Sequence, residues 1–457
     1  MTVAIVIVFL LGYCFITLEH NLKVNKTAIA LLLSVVCWVL YMASCGQYVP
    51  LMHGAEFTHW LGEGGSAADG VKKFVLEKIF VGHVGDTSEI IFFLLGAMTI
   101  VEVVDANGGF KFVREKVATK SQKALLWRIS FMTFFLSAVL DNLTTSIVMI
   151  MVLRKLIAHR RARMRYAGMV IIAANAGGAF SPIGDVTTIM LWIKGCVTTM
   201  GVIKELFLPS LIAMLVPLLI MSYNLKGELV QVTGADEKKP ASYDFSRPQR
   251  NAVFYVGVCG LVFVPVFRAL TGLPPFMGIL LVLGLLWVLT EFFYGRRRVE
   301  SHRTNRVSEL LTRIDLSTIL FFLGILLAVA ALQETGVLHE FGEFLGRVSN
   351  NNAYLITGVI GVASSIVDNV PLVASCMGMY EMGVTENLMV DGTFWQLLAY
   401  CAGTGGSILI IGSAAGVIVM GLERITFGWY FSKFSLIAFV GMVAGMVCYW
   451  LEKLFIF

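Results

Sequence analysis

Residues 136–152 read LSAVLDNLTTSIVMIMV, which sets Asp141, Asn142, Thr144, Thr145 and Ser146 inside a run that is otherwise apolar. The surroundings decide how that run is read. The 457-residue chain is 57% hydrophobic and only 14% charged, with a mean hydropathy of +0.81. Soluble domains are about half apolar and about a quarter charged. Apolar stretches near 2–18, 27–45, 86–110, 167–192, 205–223, 251–267, 274–294, 316–334, 393–420 and 429–452 have the length and composition of membrane spans. The fold class is therefore an all-α polytopic membrane protein, seated in a lipid bilayer.

Two further apolar regions, 125–153 and 352–379, are each interrupted by an Asp-Asn pair, Asp141-Asn142 and Asp368-Asn369. At roughly 1.5 Å per residue such a region is too short for two crossings and long for one. A re-entrant helical hairpin fits both. The first run, TVAIVIVFLLGYCFI, lacks a basic flank and a small-residue cleavage site, so it reads as a retained span. The eight cysteines contain no CxxC pair and read as small core residues; a Cys45–Cys196 disulfide is the alternative.

The basic residues set sidedness. Segments 19–26, 111–124, 154–166, 224–250, 295–315 and 421–433 hold 26 of the 35 lysines and arginines, which places them on the cytoplasmic side. Region 125–153 is basic at both flanks, so it enters and leaves on that side. Region 352–379 has acidic flanks and enters from the opposite side. The net charge of +5 is modest and confined to loops, so it reports topology and no nucleic-acid partner. Stretch 69–82, DGVKKFVLEKIFVG, has amphipathic spacing and is expected as an interfacial helix in the outer loop. His53, His59 and His83 are expected at the surface of that loop.

The chain also repeats itself. SAVLDN at 137–142 matches SSIVDN at 364–369, and NAGGAFSPIGD at 175–185 lies over GTGGSILIIGS at 403–413. Gly177, Gly178 and Gly184 land on Gly405, Gly406 and Gly412, and Gly96 and Gly108 on Gly324 and Gly336. The expected organisation is N-terminal spans and outer loop over 1–85, a first repeat over 86–223 and a cytoplasmic linker over 224–250. A second repeat with leading spans and a C-terminal span fills 251–457. Broken transmembrane helices are expected over 167–192 and 393–420, where glycine and Pro182 interrupt the helix. Opposite charge at the hairpin flanks makes the repeats inverted, the sequence pattern of secondary transporters.

Two hairpin tips and two breaks should bring Asp141, Asn142, Thr144, Thr145, Asn175, Ser181, Asp185, Thr187 and Thr188 toward Asp368, Asn369, Thr404, Ser407 and Ser413. These are oxygen donors, suited to a hard cation rather than to zinc or copper. No Lys or Arg occurs within 129–153, 167–193 or 348–423, which disfavours an anionic substrate. Burial favours the neutral acid, so one site can hold a small cation or protons in turn. No cofactor is expected, and no catalytic residue: a transporter, not an enzyme. Glu89 and Glu102 stand on the span 86–110 with no assigned role. GEGGSAADG and GTGGSILIIG follow no strand, so they are not nucleotide loops.

In DNLTTS at 141–146, NAGGAFSPIGDVTT at 175–188, DNVPL at 368–372 and GTGGS at 403–407, the chain resembles the NhaD family of sodium/proton antiporters, within the wider ion transporter superfamily. The resemblance covers most of 86–452. It implies exchange of Na⁺ or Li⁺ for protons by alternating access, a homodimer, and the cytoplasmic (inner) membrane of a bacterium. Carried over, the cation site would include Asp141, Asn142, Asn175, Asp185, Thr187, Thr188, Asp368, Asn369 and Ser407. The second repeat departs from the first at Ser413, which stands where Asp185 does, and has no match for Asn175. Alternatives are a Na⁺-coupled carboxylate or other anion transporter of the same superfamily, an intramembrane aspartyl protease and a channel. The protease reading suffers because PIG, not GxG, precedes Asp185.

Overall fold

The computed structural model describes residues 1–17, 24–62, 67–110, 116–157, 159–223, 225, 227, 245–295 and 306–455. Most of the linker expected over 224–250 lies outside them. α1 (Thr2–Thr17) is followed by α2 (Lys26–Met52), which Asn25 caps by accepting from Thr27 N at 2.8 Å. α3 (Gly54–Gly62) leads to α4 (Ala67–Phe74), which passes through a π-helical stretch, Val75–Phe80, into α5 (Val81–Ala106). No proline interrupts it, and Gly70–Ala106 is one apolar helix of 37 residues. Stretch 69–82 is thus continuous with a span rather than a separate interfacial helix.

Next come α6 (Gln122–Leu140), α7 (Asn142–Leu156), α8 (Arg160–Ala179), α9 (Val186–Ile193) and α10 (Thr199–Tyr223). α11 (Arg247–Thr271) starts at a Ser246/Gln249 capping box and ends at Gly272, left-handed at φ 70°. α12 (Pro275–Gly295), α13 (Leu316–Gln333), α14 (Val337–Ser349), α15 (Ala353–Ala363) and α16 (Asn369–Met379) follow. α17 (Thr393–Gly405), α18 (Ala414–Glu423) and α19 (Phe427–Phe455), with a π turn at Phe431–Ser435, complete the chain. Among the described residues eight helices are long and apolar enough to cross a membrane. The protein is an all-α, multi-pass membrane protein.

The chain forms two compact units. The first comprises 1–92, 315–352 and 370–384. Its centre is the crossing of α2 and α13, where a Cβ on Gly324 would lie 2.8 Å from Ala30 O. Trp38 Nε1 donates to Leu327 O at 2.9 Å across the same crossing. His53 and His83, expected at the surface, instead hold a buried acid. Glu334, at the end of α13, meets His53 Nε2 at 2.7 Å and His83 Nε2 at 2.8 Å. A carboxylate whose side chain is 7% exposed needs such partners. His59 is exposed.

The second unit comprises 93–314, 353–369 and 385–457 and holds both broken elements. α8 packs on α6, and α17 on α15, in matching ways. Ser137 Oγ donates to Ala174 O at 2.6 Å; Ser364 Oγ donates to Ala402 O at 2.8 Å. A Cβ on Gly177 would strike Phe134 O, and one on Gly405 would strike Gly361 O. α8 stops at Ala179 and α9 restarts after Asp185; α17 stops at Gly405 and α18 restarts after Ser413. Asp185 and Ser413 share extended backbone, φ −143° and −141°. The repeat read from glycine spacing is a repeat of contacts. All eight cysteines are free, Cys45 and Cys196 included.

Candidate ion-binding site

α6 ends and α7 begins at Asp141, whose φ of 84° is unusual for a residue with a side chain. Its carboxylate caps α7: Thr144 N donates to Oδ1 at 2.7 Å and Thr144 Oγ1 to Oδ2 at 2.8 Å. The cap turns the next residue, Asn142, onto Asp185. Asn142 Nδ2 donates to Asp185 Oδ2 at 2.6 Å and to Asn175 Oδ1 at 3.2 Å. Asp185 Oδ1 accepts from Thr187 N at 3.0 Å and Thr187 Oγ1 at 2.9 Å.

Asn175 bridges the repeats. Its Nδ2 donates to Ser407 Oγ and Ser413 Oγ, both at 2.9 Å. The position matching it, Gly403, lets α17 approach α8: a Cβ there would lie 3.2 Å from Ala179 Cβ.

Asp185 is 1% exposed, and its donors, Asn142 Nδ2, Thr187 N and Thr187 Oγ1, are all neutral. Thr145 and Ser146, next to the Asp141-Asn142 pair, and Thr188, three residues after Asp185, have buried hydroxyl oxygens with no hydrogen-bond partner among the described residues. Thr145 and Ser146 lie three and four residues beyond Asn142, so they share its side of α7. An unmet buried hydroxyl costs about 1–3 kcal/mol, and hydroxyl oxygens of this kind suit a hard, oxygen-coordinated cation. Ser146 was absent from the expected ligands; its spacing from Asn142 was the available signal. Among the described residues no three His, Cys, Asp or Glu side chains gather as a metal centre.

Several of the expected residues also hold the backbone in place. Ser181 Oγ donates to Ala138 O at 2.5 Å and pins the first break to α6. Thr404 Oγ1 bonds Tyr400 O within its own helix at 2.7 Å. Ser413 caps α18 by accepting from Gly416 N at 3.2 Å. Asp368 is half-buried and Asn369 buried at the start of α16. Glu102 lies 3.8 Å from Arg313, an ion pair on the edge of its unit.

A family model described as citrate transporter matches residues 13–395. Sodium/proton antiporter 1 of Arabidopsis thaliana is 47% identical over 98% of this chain and 72% of its own. The chain belongs to the NhaD-like ion transporter family. Within that family, sodium/proton antiporter 2 of Arabidopsis thaliana is 44% identical over 97% of this chain and 98% of its own. The Na⁺/H⁺ antiporter NhaD of Alkalimonas amylolytica is 28% identical over 97% and 89%. The YdaH transporter of Alcanivorax borkumensis shares the fold, with a TM-score of 0.57 at 12% identity over 94% of this chain and 99% of that one. Plant and bacterial proteins thus stand side by side among the relatives of this NhaD-like transporter.

Proposed function

We propose that the protein exchanges Na⁺ for protons across its membrane. The observation that carries this is the Asp185 carboxylate, buried and held by amide and hydroxyl donors, with no cationic side chain bonded to it among the described residues. An isolated buried carboxylate is unfavourable as an anion unless a cation joins it, and otherwise takes a proton. Na⁺ and protons therefore compete for it. Deprotonated Asp185 accepts the cation beside Asn142, Thr187 and the free hydroxyls of Thr145, Ser146 and Thr188. A proton arriving from the other face discharges it. Asp141 and Asp368, heads of the two Asp-Asn pairs, shape the approach, and alternating access moves the site between faces. The names of the Arabidopsis and Alkalimonas relatives support the reading.

Li⁺ as a second transported ion, a homodimer and a bacterial inner membrane rest on the family resemblance; two relatives above 40% identity are plant proteins. The test is proton movement in proteoliposomes with an acid interior. Collapse of the gradient on adding external NaCl or LiCl supports exchange; no collapse by any alkali cation between about pH 6 and 9 ends it. A second reading, Na⁺-coupled carboxylate transport, has one observation in its favour, the description of the matching family model. Uptake of labelled citrate into Na⁺-free and Na⁺-loaded vesicles separates the two.

A further inference from the structure

A cleft of about 450 Å³ opens on the second unit between the start of α8, the end of α10 and the first turns of α19. Arg165 and Lys433 line it together with Trp429, and its apolar wall includes Ile220, Leu225 and Phe434. Among the described residues no carboxylate lines it. Both cations are exposed, and among the described residues neither is engaged in an ion pair or hydrogen bond. Two unneutralised cations over an apolar wall, with a tryptophan at the rim, match a phosphate headgroup joined to acyl chains.

Position agrees with charge. Arg165, Leu225 and Lys433 fall in three of the six basic segments, 154–166, 224–250 and 421–433, that share one face of the membrane. That is the face where anionic lipids collect. The floor of the cleft is rigid. Phe434 stacks on Tyr430 at 5.3 Å, and Gly168 of α8 leaves no room for a Cβ against the Phe434 ring. Lys433 and Phe434 both sit in the π turn of α19, a distortion that recurs at functional sites. Tyr430 OH donates to Ser407 O at 2.7 Å, so the floor reaches the second break directly.

We propose that this cleft binds an anionic phospholipid, its phosphate between Arg165 and Lys433 and an acyl chain along Ile220, Leu225 and Phe434. The bound lipid braces α19, and through Tyr430 it steadies the backbone that presents Ser407 to Asn175. This inference stands apart from the identity of the transported ion.

Native mass spectrometry of the purified full chain tests it, titrating phosphatidylglycerol and phosphatidylcholine against wild type, R165Q/K433Q and the charge-matched control K72Q/K73Q. Wild type and control should hold phosphatidylglycerol about tenfold more tightly than phosphatidylcholine, and R165Q/K433Q should lose that preference. Equal affinity for the two lipids in wild type overturns the proposal, as does an equal loss in the control. Displacement of phosphatidylglycerol by millimolar glycerol phosphate would make the cleft a soluble-phosphate site and also overturns it. If the double variant does not fold, Lys433→Gln alone, at an exposed position, decides by the same comparison, with Lys433→Arg expected to restore the preference.

Discussion

Asn142 donates to Asp185 at 2.6 Å, joining the tip of the first Asp-Asn region to the first helix break. The pair sits where α7 and α9 both begin, so two helix N-termini converge on it. Those N-termini favour negative charge, which keeps a carboxylate there ready for a cation. Asp185→Asn removes the charge and keeps the shape. The variant should fold with an unchanged or higher melting temperature, since neutralising a buried charge is often neutral or stabilising. Exchange in proteoliposomes should fall to background. Retained exchange in a folded variant would remove Asp185 from the mechanism.

Asn175 uses its whole amide: two donations to serines of the second repeat and one acceptance from Asn142. Asn175→Ala should cost about 1–3 kcal/mol and weaken apparent Na⁺ affinity. Asn175→Asp keeps the acceptor and adds a second charge beside Asp185, so its exchange should shift to higher pH. Gradient-collapse assays at several Na⁺ concentrations and pH values separate the two variants.

The repeat predicts paired phenotypes. Gly177→Ala and Gly405→Ala each drive a methyl into a carbonyl of the packed helix, Phe134 O and Gly361 O. Each should destabilise by about 1–3 kcal/mol. Gly421→Ala, where a Cβ meets nothing within 4 Å, is the control and should be silent. Thermal melts of the three purified variants make the comparison. A silent Gly405→Ala would mean the second copy is not packed like the first.

Glu423 is fully buried between Arg154 Nε at 2.8 Å and Arg163 Nε at 2.9 Å. Arg154 also donates to Leu422 O, so the end of α7 is clamped to the end of α18. Glu423→Ala leaves two cations facing a void and should cost about 3–5 kcal/mol. Glu423→Gln, which keeps the acceptor, should cost less. Denaturant or thermal unfolding in detergent ranks them.

The His53–Glu334–His83 cluster carries a pH signature. The Glu334 hydrogen bond holds the His53 pKa above its ordinary 6.5, against burial, which lowers it. Burial alone would raise Glu334, but the bonds and charges of His53 and His83 together outweigh it and bring Glu334 from 4.5 to about 2. The lowered acid contributes stability above about pH 4.5 and loses it as pH falls toward about 2. The raised His53 contributes fully below about pH 6.5 and loses it as pH rises through its folded-state pKa. The melting-temperature gap between wild type and His53→Gln should peak between these limits, near about pH 5 to 6, and close on the alkaline side. A gap that is flat from about pH 5 to 9 would show that His53 acts as a neutral partner.

Apolar run lengths, the two Asp-Asn interruptions and the glycines 228 residues apart were legible from composition and spacing. Each reflects a local constraint: a span must be apolar, a break needs glycine or proline, and an intramembrane acid needs a purpose. The pairings between side chains were not legible in that way. That Asn142 rather than Asp141 reaches Asp185, that Asn175 serves both copies, and that His53 and His83 close on Glu334 depend on residues 33 to 281 positions apart. Such contacts are selected by which helices pack, and one residue of rotation on a helix turns a side chain by about 100°. Run length and spacing leave that rotation open; packing of the close-fitting glycine crossings closes it.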